Sequence, residues 1–359
     1  MPRRISIAAT LEPAELAKLA RLRYVSDADP GFTRRRNGKS FIYITSRGGA
    51  LRDPRKIKRI ESLVIPPAWR DVWICATSNG HLQATGRDAR KRKQYQYHER
   101  WQHISNLAKF ARMAQFGELV PKLRRKIAAQ VASKKLARES VLASMVALLD
   151  LTGIRVGNDE YAKENGSYGL TTLRDRHVAK TASGVELRFR AKSGVRRNVV
   201  IEDKAVAAFI ESCAAIYGGR LFQWVDDDGV ARPLQSADVN EFLQQMTGEA
   251  ITAKDFRTWK ASAQAAGQLL ATAPADSTTA RKRLIREVIC HAADMLSNTP
   301  TVCRNYYIHP GLLESYESGD FHSHFDGFTP RRRKWLSRDE QTLAHFLNHW
   351  KPAADPLPT

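Results

Sequence analysis

The spacing of apolar residues changes character twice along the chain. After a short helix expected over Pro13–Tyr24, hydrophobic positions come in brief β-branched and aromatic runs broken by Gly and Asn: "FIYITSRGGAL", "DVWICATSNGHLQATG" and "KQYQYH". Runs of this kind predict strands. Asn79-Gly80, a dipeptide that tolerates positive φ, predicts a hairpin turn within the second run. Between the runs, "DPRKIKRIESLVIPPAW" predicts a helix stopped by Pro66 and Pro67. From about Lys109 the apolar period lengthens, and "KLRRKIAAQVASKKLARESVLASMVALLDLTGI" carries a helical pattern. Strand texture returns in "GLTTLRDRHVAKTASGVELRFRAKSGVRRNVVI", with turn signals at Ser183-Gly184 and Ser193-Gly194. Helices are then expected over Lys204–Tyr217, Ala237–Thr247 behind an N-cap Ser236, Ala253–Thr272 behind Thr252, and Thr278–Leu296.

These patterns predict an α+β chain. A short extension over residues 1–19 precedes a small β-rich domain over 20–105 and a larger, mainly α-helical domain over 106–345. The polar, Pro-rich end, 346–359, is expected to be a flexible tail. At 359 residues the chain is long enough for two domains with cores of their own.

Charge narrows the choice of partner. Lys and Arg number 58 against 37 acidic residues, for a net charge of +21. Residues 1–100 alone hold 22 Lys/Arg and 9 Asp/Glu, a surplus of +13, which favours a basic face near the N-terminus. A field of that size concentrates polyanions, so nucleic acid is the first partner to consider; solvated surface charge is the plainer alternative. An anionic membrane surface would call for a long basic amphipathic segment, and none stands out. No apolar run approaches the roughly 18 residues needed to span a bilayer. Cys75, Cys213, Cys290 and Cys303 are scattered without metal-ligand spacing and read as buried thiols of a reducing compartment. With no apolar signal region in "MPRRISIAAT", a cytoplasmic location is expected.

Candidate chemistry sits in four segments of the helical part. Arg155 follows an apolar helix and stands between Gly153 and Gly157, where its planar fork can approach an anion closely. Lys192 falls at a hairpin turn, where a lysine is either solvated or able to give a proton to a leaving oxygen. Arg257 lies in the first turns of a helix anchored by Phe256 and Trp259. The fourth segment, "SNTPTVCRNYYIHP", holds Asn298 and the adjacent Tyr306 and Tyr307. Either tyrosine can be a nucleophile or a packing residue. A phenol ionises near 10 and attacks poorly unless positive charge favours the phenolate. Two arginines supply that charge and can also hold the non-bridging oxygens of a phosphodiester, a task otherwise given to metal ions. No metal or cofactor is therefore expected.

Taken in order, "IPPAWRDVWI", "NGHLQATGRDARKRKQYQYH", "GIRVGNDEYAKENGSYGLTTLRDRHV", "AKDFRTW" and "NTPTVCRNYYIHP" resemble the type IB DNA topoisomerases, specifically the bacterial branch with poxvirus-like architecture. The resemblance runs from about Tyr24 to Pro310. It implies that Arg155, Lys192, Arg257, Asn298 and Tyr307 occupy the catalytic positions. Tyr307 directly precedes the "I-x-P" ending, as the family's nucleophile does. Tyr306 stands where a smaller residue such as serine is common, and Ser297 where glycine is common, so the register between the two tyrosines stays open. Asparagine at position 298 is usual in the bacterial branch; other branches carry histidine.

The implied reaction relaxes supercoiled DNA through a 3′-phosphotyrosyl intermediate, without ATP or metal, on a monomeric protein clamped around duplex DNA. The N-terminal domain would then bind the duplex through "GRDARKRKQYQYHERW". Arg87, Arg90, Lys91, Arg92 and Lys93 suit phosphates there, and Gln94, Tyr95 and Tyr97 suit base edges or backbone. The plainer reading is a solvated charge run beside an edge strand. Two other functions remain open: a tyrosine recombinase, whose usual H-x-x-R is here "KDFR" with Lys254 in the first place, and a noncatalytic architectural DNA binder.

Overall fold

A computed structural model of the chain describes residues 11–38, 40–133, 136–216 and 219–351. The chain divides into two compact units, one running to Arg112 and including Lys351, the other Met113–Trp350. Residues 1–10 of the expected N-terminal extension, Tyr217 of one expected helix end, and residues 352–359 of the expected tail lie outside the described residues.

The N-terminal unit opens with α1 (Pro13–Leu19), shorter than expected because Arg21 turns to φ 56° and the chain leaves the helix axis. Then follow β1 (Gly31–Asn37), β2 (Ser40–Ile44), α2 (Pro54–Ser62), β3 (Arg70–Cys75), β4 (Leu82–Arg87), β5 (Lys93–Tyr97) and α3 (Glu99–Ala111). The strands form one antiparallel sheet in the order β2-β1-β3-β4-β5. Helix α2 starts on Pro54, with the Asp53 carboxylate accepting from the Arg55 and Lys56 amides. It ends before Pro66 and Pro67, as the sequence predicts. Phe32, Ile60, Val72, Ile74 and Ala84 form its core with the sheet; a second cluster packs Leu16, Ala17 and Leu22 of the N-terminal segment against Ile104 and Ala108 of α3.

The expected β3–β4 hairpin forms, but without the positive φ that Asn79-Gly80 would tolerate. The segment is instead held by Arg23, whose amide donates to the Asn79 carbonyl at 2.8 Å and whose carbonyl accepts from His81 at 2.9 Å. Gly80 is needed for close approach: a Cβ there would lie 2.5 Å from the Cys75 Sγ.

The larger unit starts with α4 (Met113–Ala132) and α5 (Arg138–Thr152), which share the helical pattern read over residues 122–154. Helix α5 is the centre of this unit, with Val141, Leu142, Met145, Val146, Leu148 and Leu149 all at 0% exposure. A helix covered on all sides belongs to a core. After α6 (Asp159–Asn165), the strands β6 (Val178–Thr181), β7 (Gly184–Arg190) and β8 (Arg196–Ile201) make an antiparallel sheet, turning at Ser183-Gly184 and at Lys192–Gly194. Helix α7 (Lys204–Ala214) and the small pair β9 (Gln223–Val225) and β10 (Ala231–Pro233) lead to α8 (Ser236–Thr247). Gln235, not Ser236, is the N-cap of α8, because the Asp238 carboxylate reaches back to the Gln235 amide at 2.7 Å.

Helices α9 (Ala253–Ala271) and α10 (Thr278–Leu296) follow, the first capped by Thr252 with Asp255 and the second by Ser277. The short α11 (Pro300–Tyr306) and α12 (Pro310–Ser318) each begin on proline, whose fixed φ and missing N–H suit a first turn. The last helix, α13 (Arg338–His349), extends into the segment expected to be tail. Among the described residues no helix is long and apolar enough to cross a membrane.

Phe256 and Trp259 anchor α9 as expected, at 3% and 1% exposure. The Trp259 indole donates to Glu340 of α13 at 2.8 Å. Glu340 also faces Arg124 of α4, which forks between Asp150 of α5 and Glu340 at 2.6–2.9 Å. This buried network fixes α9 between α4, α5 and α13. Burial pushes the pKa of Glu340 up, but Arg124 outweighs it and brings the pKa from 4.5 down to about 2. A depressed folded-state pKa gives stability that is present above about 4.5 and lost as pH falls toward about 2. Replacing Arg124 with Leu leaves two buried carboxylates opposed and should destabilise the unit by about 3–5 kcal/mol. Urea unfolding at neutral pH checks this; an unchanged midpoint would contradict it.

Candidate active site

Two helices end side by side in the larger unit, and their ends build the site. Helix α5 closes on Gly153 at φ 62°, and α10 closes on Ser297 at φ 49°. A helix end leaves carbonyls without intrahelical donors and carries the negative end of the macrodipole. Here arginines take those carbonyls. Arg257, on α9, donates through Nη1 to the Gly153 carbonyl and through Nη2 to the Leu296 carbonyl at 3.0 Å. Arg197, on β8, donates to the Thr152 carbonyl at 3.3 Å and the Met295 carbonyl at 3.1 Å. Arg155 donates to the Ser297 carbonyl at 3.4 Å and the Asn298 Oδ1 at 2.5 Å.

The arrangement leaves buried donors over. With its Oδ1 occupied by Arg155, Asn298 has its Nδ2 buried without a hydrogen-bond partner among the described residues, and so is the Nε of Arg257. Arg257 itself is only 3% exposed. Buried donors are ordinarily satisfied, so a pair left over beside two guanidinium groups marks a place for an anionic acceptor. Burial lowers the pKa of Arg155, and the neighbouring Arg257 charge lowers it further.

Tyr307 lies against this cluster. Its ring centroid is 5.1 Å from the Arg257 guanidinium carbon. Burial alone pushes the phenol pKa up. The positive fields of Arg257, Arg155 and Lys254, with a hydrogen bond from Arg257, reverse that and hold it below the ordinary value of 10. Tyr306, the last residue of α11, is 40% exposed. The two adjacent tyrosines therefore differ sharply in surroundings, and Tyr307 is the one among the arginines.

The backbone around Tyr307 is held from α9. The buried Ser262 hydroxyl donates to the Tyr307 carbonyl at 3.0 Å and accepts from the His309 amide at 2.9 Å. His309, 3% exposed, caps α12 by accepting from the Gly311 amide at 3.2 Å. Helix α9 thus presents Arg257 to the side chain of Tyr307 and Ser262 to its backbone.

Of the residues singled out in the sequence, Arg155, Arg257, Asn298 and Tyr307 converge. Lys192 is exposed on the β7–β8 turn, beside Ser193 at φ 64°. Arg197, Ser262 and Lys254 as a source of field escaped sequence reasoning. Strand alternation held a signal for Arg197: in "RRNVVI" it shares a face with Val199 and the buried Ile201, whereas Arg196 points to solvent.

In the N-terminal unit the expected DNA contacts divide between two faces. Lys93, Tyr95 and Tyr97 share the exposed face of β5, with the two tyrosine rings stacked at 6.1 Å. Lys93 pairs with Asp27 at 2.6 Å. Gln94 falls on the other face and donates to Asp88 at 3.0 Å. Asp88 also accepts from the Arg90 and Arg92 amides and from the Arg92 side chain, building the β4–β5 turn on which Arg90 and Lys91 stand. The Arg87 guanidinium donates to the Lys91 carbonyl at 2.9 Å.

Comparison with known proteins gives the family. Residues 96–320 match the family model described as eukaryotic DNA topoisomerase I, catalytic core, and residues 40–88 match bacterial DNA topoisomerase IB, N-terminal domain. The chain belongs to the type IB DNA topoisomerases. It is 31% identical to DNA topoisomerase 1B of Acanthamoeba polyphaga mimivirus, over 80% of this chain and 88% of that protein. It is 27% identical to DNA topoisomerase 1 of Mycosarcoma maydis, over 46% of this chain and 18% of that much longer protein. The match to the topoisomerase catalytic core takes in the whole arginine cluster and Tyr307.

Ser297 carries a cost that this topoisomerase could shed. A non-glycine residue in the left-handed region is disfavoured by about 1–2 kcal/mol. Ser297→Gly should therefore raise stability by up to about 1 kcal/mol once the added freedom of the unfolded chain is subtracted. A thermal melt showing a lower midpoint would contradict the assignment of strain to this cap.

Proposed function

We propose that this type IB topoisomerase relaxes supercoiled duplex DNA, acting as a monomer, by cutting and resealing one strand. Tyr307 attacks a backbone phosphate, forming a phosphotyrosyl bond to the 3′ side as the bond to the 5′ oxygen breaks. Arg155, Arg257 and the Asn298 amide hold the non-bridging oxygens, on which charge builds in the pentacoordinate transition state. Lys192 gives a proton to the departing 5′ oxygen. After strand rotation the 5′ hydroxyl attacks the phosphotyrosine and the reaction runs back. The bond energy stays in the covalent link, so the cycle needs no ATP. The guanidinium groups supply the charge that a metal ion would otherwise bring. Lys93, Tyr95, Tyr97, Arg87 and Arg90 of the N-terminal unit are proposed to hold the duplex, with Gln94 shaping the turn between them.

The observation that carries this reading is the Tyr307 ring set 5.1 Å from the Arg257 guanidinium, in a cluster whose Arg257 Nε and Asn298 Nδ2 are buried donors without partners among the described residues. A tyrosine placed for packing would not need that cluster.

The test is relaxation of negatively supercoiled plasmid in EDTA without ATP. Wild type should relax it; Tyr307→Phe should lose all activity, and Tyr306→Phe should keep most of it. Loss with Tyr306→Phe alone would move the nucleophile by one residue. Tight DNA binding without relaxation by the folded wild type would overturn the reading in favour of a recombinase or an architectural protein. A second expectation concerns pH. Phenolate is the attacking form, so the rate of covalent adduct formation should rise with pH through an apparent pKa below 10. Arg257→Gln should slow the reaction and move that pKa upward; a profile that keeps its position would argue against Arg257 as the main source of the shift.

A further inference from the structure

The proposed proton donor poses a structural problem. Lys192 stands exposed on a tight turn, while the residues proposed to bind phosphate are fixed on helix ends. A proton donor must meet the leaving oxygen within hydrogen-bond reach. Something has to set the turn relative to the arginines.

Arg197 is placed to do so. It lies on β8 opposite Phe189, and the next pair outward, Arg190 with Arg196, leads directly into the turn. The Ala191 amide then closes the turn on the Val195 carbonyl at 2.7 Å. Lys192 is therefore only about 10 Å of hairpin beyond Arg197. The Arg197 side chain faces inward, and its Nη2 bridges the Thr152 and Met295 carbonyls. Those residues immediately precede Gly153 and Leu296, whose carbonyls hold Arg257. One guanidinium thus fastens the lysine-bearing hairpin to the two helix ends that fix the phosphate-binding arginine. The position is a costly one for a cation: burial, then Arg257 and Arg155, push its pKa down to about 10.

We propose that Arg197 is a positioning residue for Lys192, docking the β7–β8 hairpin on the carbonyl ends of α5 and α10 so that the lysine ammonium meets the leaving 5′ oxygen. This inference rests on the proposed cleavage reaction and adds a residue to it.

The test uses single-turnover formation of the covalent adduct on two DNA duplexes that differ only in the atom bridging the scissile phosphorus to the 5′ carbon, oxygen in one and sulfur in the other. In both, the P–O bond to Tyr307 forms as the bridging bond breaks. Sulfur leaves as a thiolate and needs no proton, because thiols are far more acidic than alcohols. A defect in proton donation therefore disappears on the sulfur duplex. With the oxygen duplex, Arg197→Gln should slow cleavage at least about tenfold, toward the loss expected for Lys192→Ala, since general acid catalysis contributes at least about a hundredfold. With the sulfur duplex both variants should come within about threefold of wild type, while DNA affinity is unchanged. Arg197→Lys, which keeps a cation able to reach one carbonyl, should show a smaller loss with the same rescue, and serves if the glutamine variant does not fold.

An equal loss on both duplexes would overturn the inference, since it would mean that Arg197 acts on the phosphate or only on folding. No loss on either would overturn it as well. If wild type forms no adduct with either duplex, the cleavage reading itself fails and takes this inference with it.

Discussion

The carbonyl ends of two helices hold three guanidinium groups together, and the site depends on that interaction. Guanidinium groups repel one another, and Arg155, Arg197 and Arg257 lie close enough for each of Arg155 and Arg197 to feel Arg257. The compensation comes from α5 and α10. Their last carbonyls are free of intrahelical donors, and their dipoles put partial negative charge where the cations sit. The left-handed caps at Gly153 and Ser297 turn the chain away and leave the carbonyls accessible from the side. Without those caps, continued helix would consume the acceptors and push Arg155 and Asn298 elsewhere.

A second arginine device, built differently, keeps the first in register. Arg124 lies between two carboxylates, and Glu340 passes the constraint on to Trp259. Trp259 is two residues from Arg257, so the fully paired network behind α9 sets the depth at which Arg257 reaches the helix ends. The same helix reaches forward again through Ser262 to the backbone of Tyr307 and His309. A shift of α9 by a fraction of a turn would break contacts at both faces together. This explains why so much of the helix is buried, including polar Thr258 and Ser262.

Much of this was legible in the sequence because periodicity and end signals are local. The range of α10 follows from its pattern, and α9 from its Thr252 start. The turn at Ser183-Gly184 follows from residue type. The apolar helix delivering Arg155 at its end, and the anchoring of Arg257 by Phe256 and Trp259, were equally readable. Other features depend on partners far along the chain. Asn79-Gly80 reads correctly as a hairpin turn, but its backbone conformation is set by Arg23, far earlier in the chain. Nothing local shows that strand alternation turns Gln94 away from Tyr95 and onto Asp88. Nothing local distinguishes Arg197 from Arg196 except that alternation, and nothing local shows which of Tyr306 and Tyr307 faces the arginines.

The contrast between the two arginine devices also bears on why the site is built from carbonyls. Arg124 is more than offset by the full charges of two carboxylates and presents no positive field. Carboxylates in the same role around Arg257 would cancel the potential that lowers the Tyr307 phenol, and would repel a phosphate. Carbonyl oxygens orient a guanidinium by hydrogen bonds yet carry only partial charge, so most of the positive potential survives. Among the described residues, the hydrogen-bond acceptors of Arg155, Arg197 and Arg257 are backbone carbonyls, one side-chain amide and the Tyr307 phenol, with no carboxylate. Holding cations firmly while leaving their charge unspent suits a site that must depress a phenol and receive an anion at once.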